Sequence, residues 1–82
     1  MTENYTVFVH TDLRDIRLGR YKQPIQNFIN SLGNNPFNRS DYPDMYRDRE
    51  GEVKIIGPYA VVYEVDHSVR RVLVLEILHA DE

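Results

Sequence analysis

The chain is 82 residues long, carries thirteen Asp and Glu against ten Lys and Arg, has a net charge of −3 and contains no cysteine. A chain of this length buries one small core, so a single domain over residues 1–82 is expected, and the missing cysteines exclude disulfides and thiolate metal sites. The acidic balance excludes binding to phosphate backbones through the overall field, so any nucleic-acid contact has to be local.

Met1 to Asn4 are polar, and the apolar stretch after them is short and lacks a basic leader, so no signal peptide is expected. No run approaches the ~20 apolar residues of a membrane span. A cytoplasmic location without a membrane partner follows as the expectation, and a cysteine-free chain suits a reducing compartment.

In chain order, Tyr5 to His10 alternates Tyr5, Val7 and Val9 against Thr6, Phe8 and His10, which predicts a first strand. Thr11 then offers an N-cap, and Asp12 and Asp15 place acids at the positive end of a short helix carrying Leu13 and Ile16 inward and closed by Gly19. Pro24 suits the first turn of a second helix, where Ile25, Phe28, Ile29 and Leu32 recur at i, i+3, i+4 and i+7. Gly33 is placed to take the left-handed position past its end, and Pro36 blocks continuation. From Asn34 to Gly51 neither hydrophobic period persists, which predicts a long loop, and loops of that length tend to carry function. Phe37, Tyr42, Met45 and Tyr46 argue that it is pinned to the body.

Three strands follow: Val53 to Ile56, Tyr59 to Val65 after a Gly57-Pro58 turn, and Val69 to Leu78 after the turn Asp66, His67, Ser68. The last two are apolar on both faces, so both faces of their sheet need cover. The expected architecture is α+β: two N-terminal helices on one face of a mainly antiparallel four-stranded sheet, in the order β-α-α-β-β-β.

The order of elements and the run from Gly57 to His79, with Gly57, Tyr59, Tyr63, Glu64, Val65, Asp66 and His79 as fixed marks, resembles the RelE/ParE toxin superfamily. The resemblance implies the toxin of a type II toxin–antitoxin pair, with a cognate antitoxin as partner. RelE-like members cleave mRNA on the ribosome, repressing translation as endoribonucleases, whereas ParE-like members poison DNA gyrase. Where RelE-like relatives carry arginine in G-x-Y-R-x-x-Y, this chain has Ala60, and His79 is followed only by Ala80, Asp81 and Glu82. Ribosome-dependent cleavage is the first expectation; a non-catalytic binder of the same fold, either gyrase-directed or binding only its antitoxin, is the alternative.

Metal-free cleavage through a ribose 2′-hydroxyl needs a base, a cation for the phosphorane charge and an acid for the leaving oxygen. His79 is the candidate acid or base, Glu64 a candidate base, and Arg70, Arg71 and Lys54 candidate cations. On a regular strand Arg70 and Arg71 face opposite sides, and Lys54, opposed to Val53 and Ile55, is expected on the non-helical face. Tyr59 and Tyr63, on the face shared with Val61 and Val65, are candidates for stacking on bases. Arg39, Tyr46, Arg47 and Arg49 combine cations and rings in the loop, among acids that favour a protein partner over RNA. His10, His67 and His79 are too scattered for a metal site, and no cofactor motif stands out.

Overall fold

The computed structural model describes residues 4–10, 17–46 and 48–79, with position 46 described by its backbone only. Five strands, β1 (Thr6–Val9), β2 (Tyr42–Tyr46), β3 (Arg49–Ile56), β4 (Tyr59–Asp66) and β5 (Arg71–His79), form one sheet in the order β1-β5-β4-β3-β2. β1 runs parallel to β5, and the other neighbours are antiparallel. A 3-10 turn at Gly19–Tyr21 leads into α1 (Lys22–Leu32).

The α+β class stands, but the expected two helices on four strands become one α-helix among the described residues and five strands. The helix expected from Thr11 lies largely outside the described residues, and Gly19, with φ +58, opens the 3-10 turn. The additional strand, β2, arises inside the stretch expected to be loop. Its residues YPDMY have no strand alternation, yet the exposed edge of β3 supplies a template that pairs Tyr42 with Val53 through to Tyr46 with Arg49. Pro43 is tolerated there because an edge strand has one unpaired side.

The helix lies on one sheet face as its periodicity requires. Ile25 and Leu32 are fully buried, Phe28 and Ile29 half-buried, and all four join a core with Val61, Tyr63, Val72, Val74 and Ile77. The Phe28 ring meets the Tyr63 ring edge-on at 5.7 Å. Gly33 is right-handed (φ −66), not left-handed as its position past the helix suggested. A Cβ there would stand 3.3 Å from the Tyr5 carbonyl oxygen, a tight approach that glycine avoids. Its own carbonyl accepts the Tyr5 amide at 2.7 Å, tying the end of α1 to the start of β1.

β5 carries a bulge. Val62 pairs with Glu76 and Tyr63 with Val74, leaving Leu75 without a partner in the register. Such an extra residue reverses the side of everything after it, so Val72 and Val74 face α1 and so does Ile77. On the opposite face Val53, Ala60 and Val62 are buried with Ile55 and Leu75 packed against them. The β4–β5 connection also differs from expectation: residues 67–70 form the turn and β5 begins at Arg71. Asp66 accepts the Ser68 amide at 3.1 Å and its hydroxyl at 2.5 Å, and Arg70 adopts φ +52.

The segment before β2 is held by Asp41. Its amide donates to the Val53 carbonyl at 2.8 Å, and its carboxylate accepts the Ile55 amide at 2.7 Å and lies 3.5 Å from Lys54 Nζ. The Ile55 amide first, and the Lys54 ammonium after it, hold the Asp41 carboxyl below its usual range. The contact therefore supports the fold above the unfolded-state pKa and fades as pH falls through the depressed one.

At the β3–β4 turn Gly57 has φ +59, and the Tyr21 ring closes over it so tightly that a Cβ would meet Cε1 at 2.1 Å. Glycine followed by proline is the pattern of a two-residue hairpin turn whose first residue is left-handed. Gly57→Ala is expected to cost ~1–3 kcal/mol through left-handed strain and displacement of Tyr21. Ile25→Ala is expected to cost ~2–5 kcal/mol, a large share of the ~4–12 kcal/mol of a domain this size. Urea melts measure both, and a Gly57→Ala variant as stable as the parent would contradict the closed turn.

Candidate partner-binding surfaces

The sheet face away from α1 is apolar in its middle and partly open. Register places Phe8 beside Leu73, Ala60 between Ile55 and Leu78, and Val53 between Tyr42 and Val62. Phe8, Tyr42 and Leu78 are each exposed by more than two fifths, whereas Val53, Ala60 and Val62 are buried by their neighbours. Charges frame this surface. Arg49 donates to the Glu64 carboxylate across the β3–β4 side, and the Arg71 guanidinium lies 5.5 Å from the centre of the Phe8 ring.

The sequence-predicted candidates do not gather on one surface. Glu64 and Arg71 share the open face by register, but Glu64 is engaged by Arg49. Lys54 is directly opposite Val61, a residue of the helix-side core, so it lies on the helix side of the sheet and not on the expected non-helical face. Its ammonium is held by Asp41. Arg70 sits in the left-handed turn position, not on the strand, so the expected opposition of Arg70 and Arg71 across a regular strand does not arise. Arg39 Nε donates to the Asn35 carbonyl at 3.0 Å within its own loop. Tyr46 ends β2, and Arg47 lies outside the described residues.

Tyr59 and His79 do come together. They pair across β4 and β5 on the helix side, with ring centres 4.8 Å apart. Tyr21 approaches Tyr59 edge-on at 5.8 Å and carries the Arg20 guanidinium 5.2 Å from its ring centre. The Tyr59 hydroxyl donates to the Arg17 carbonyl at 3.5 Å. This group of rings with one cation seals the sheet end against the 3-10 turn. Arg20 stood out in the sequence only as part of an early basic cluster with Arg14, Arg17 and Lys22, and Tyr21 drew no attention, because nothing local marks residues before a helix as neighbours of a distant strand.

At the other end of the helix side, a cleft of about 820 Å³ opens between the loop at Pro36–Ser40 and strands β2, β3 and β4. The loop is held by an aromatic stack: Phe37 lies flat on His67 at 5.0 Å, and the Tyr5 hydroxyl meets His67 Nδ1 at 2.9 Å. Tyr63 forms part of the cleft wall, fully buried, and its hydroxyl has no hydrogen-bond partner among the described residues. Burial first, and the nearby Glu52 charge second, push its pKa up to about 12. Ser40, which gives its hydrogen to Glu52 at 2.8 Å, and the Arg39 charge act the other way and lower it. The described residues contain no group of His, Asp and Glu arranged to hold a metal ion.

Because the folded pKa of Tyr63 is raised, the stability it contributes is present below the unfolded value near 10 and is lost as pH climbs towards 12. Tyr63→Phe removes an orphaned hydroxyl, so it should leave stability at pH 7 unchanged or raise it by up to ~1–3 kcal/mol. The same variant should flatten the loss of stability between pH 10 and 12. Chemical denaturation at both pH values checks this, and a large loss at pH 7 would mean that the hydroxyl is satisfied in solution.

Residues 5–82 match the family model described as ParE toxin of type II toxin–antitoxin system, parDE. Among solved structures, the chain is similar in fold to the toxin–antitoxin complex RelBE2 from Mycobacterium tuberculosis, with 23% identity, TM-score 0.69, and 93% of this chain and 98% of that chain covered. It is likewise similar to the archaeal RelE–RelB complex from Pyrococcus horikoshii OT3, with 18% identity, TM-score 0.71, and 93% and 94% covered. No curated protein matches the sequence. The family match spans nearly every residue and accounts for the sheet, the helix and the strand order together: the chain belongs to the ParE toxin family, within the RelE/ParE superfamily of type II toxin–antitoxin toxins.

Proposed function

We propose that this chain is a single-domain cytoplasmic toxin that acts by binding a protein target, DNA gyrase, and is neutralised by a cognate antitoxin. The observation that carries this reading is the dispersal of the candidate catalytic groups. His79 and Lys54 lie on the helix side, Glu64 and Arg71 on the other, and both Lys54 and Glu64 are already in ion pairs. A base, a cation and an acid must stand within reach of one phosphate for ribose-directed cleavage. The open apolar face supports a protein partner, since Phe8, Tyr42 and Leu78 surround a packed apolar centre with charged residues at its rim. No helix among the described residues is long and apolar enough to cross a membrane.

Ribosome-dependent mRNA cleavage is the second reading, favoured by the Tyr59–His79 contact, which sets an imidazole beside a ring able to stack on a base. The two readings separate on induction of the chain in growing bacteria. The first expects growth arrest, loss of supercoiling by purified gyrase on addition of the chain, and no new mRNA 5′ ends. It also expects that co-expressing the product of an adjacent reading frame restores growth. New 5′ ends on translated mRNA that vanish in His79→Ala, with gyrase unaffected, would overturn it in favour of the nuclease. Absence of arrest together with binding of the adjacent product would leave a toxin-fold protein that only binds its antitoxin.

A further inference from the structure

The cleft beside Tyr63 differs in sign from what an RNA surface needs. β3 enters it with two acids on one side: Glu50 pairs with Met45 and Glu52 with Tyr63, so both carboxylates share the face of the Tyr63 ring. Residues two apart on one strand face lie roughly 7 Å from each other, a spacing that one cation can bridge from between them. Among the described residues the nearby cations have partners of their own, although the Arg39 charge is still felt at Tyr63. Lys54, the next residue on that face, is held by Asp41 at 3.5 Å, and Arg39 Nε is bound to the Asn35 carbonyl at 3.0 Å. Among the described residues, no lysine or arginine lines the cleft.

A second and independent observation points to a ligand. Tyr63 is completely buried in the cleft wall, yet its hydroxyl, next to Glu52 and Ser40, lacks a partner among the described residues. A buried hydroxyl without a hydrogen bond is costly, and one left beside carboxylates is placed to join a charge-assisted network when a donor arrives. The mouth supplies apolar contact, with Met45 60% and Phe37 46% exposed. Methionine and aromatic rings at the rim of a small acidic cleft suit a protein segment that carries one cation between apolar residues.

We propose that this cleft seats a lysine or arginine side chain of the antitoxin, its charged head between Glu50 and Glu52 and its flanking apolar residues on Met45 and Phe37. Antitoxin as the source rests on the toxin reading above; the cation-binding chemistry of the cleft does not. RNA is disfavoured, since a phosphate would meet two carboxylates.

Two measurements test this separately. The first adds N-acetyl-leucyl-arginyl-leucinamide to the isotope-labelled chain and follows backbone resonances, with the citrulline analogue as an uncharged match. The arginine peptide is expected to shift Met45, Glu50, Glu52 and Tyr63, the citrulline peptide to shift them several-fold less, and the Glu50→Gln, Glu52→Gln double variant to respond to neither. The spectrum itself reports that the variant is folded. Equal responses to both peptides, or shifts confined to other surfaces, would overturn the site.

The second measures affinity for the protein encoded by the adjacent reading frame. The double variant is expected to bind it at least tenfold more weakly, with a gentler salt dependence. Unchanged affinity would overturn the assignment of this cleft to the antitoxin while leaving the toxin reading intact. Failure of the parent chain to bind that protein at all would overturn both.

Discussion

The bulge at Leu75 is the constraint on which both faces of the sheet depend. A strand with unbroken alternation delivers every second residue to one side, so Val72 and Val74 facing α1 would send Ile77 away from it. With Leu75 outside the pairing, Ile77 returns to the helix side and Leu75 itself joins Val53, Ala60 and Val62 on the other. The same slip aligns His79 with Tyr59 at the helix-side end. Restoring the missing pairing would move Ile77 to the open face and Glu76 into the helix-side core opposite Val61, so the bulge is built into the positions of both clusters.

What the bulge does for the centre of the sheet, long-range pins do for its outer half. On the helix side, the part over β2 and the start of β3 is bounded by the Pro36–Ser40 loop. Asp41 fixes the loop to β3 through backbone bonds at 2.8 and 2.7 Å, and the Tyr5, His67 and Phe37 rings fix it to the β4–β5 turn. Between these two attachments the loop stands away from the sheet and leaves the cleft.

Much of this was legible in the sequence where the signal is local and periodic. The stripe Ile25, Phe28, Ile29 and Leu32 marked the helix and its buried face, and the two-sided apolarity of Tyr59 to Val65 marked a central strand. β2 was not legible, since Tyr42–Tyr46 owes its strand geometry to the edge of β3 and has no alternation of its own. The side taken by Lys54 depends on register, and nothing near Lys54 in the sequence reports that it sits opposite Val61. Glu50 passed for a loop charge, one residue before Gly51 closes the expected loop; read as strand residues two apart, Glu50 and Glu52 fall on one face. Gly33 shows the limit of cap rules, because the tight approach there comes from the Tyr5 carbonyl, which precedes it by more than twenty-five residues.

Ala60 carries the functional consequence of this arrangement. It lies 7% exposed on the middle strand, opposite Ile55 on one neighbour and Leu78 on the other, with Val53 and Val62 packed beside it. An arginine in its place would thread a charged side chain through an apolar cluster and displace the packing that buries Val53 and Val62. The small residue is therefore part of how the open face is filled, and that face offers shape and apolar area where a nuclease would offer positive charge. Acids on the other side of the sheet, at Glu50 and Glu52, carry the argument further: among the described residues neither stands in an ion pair, and a basic protein segment is the natural complement to them.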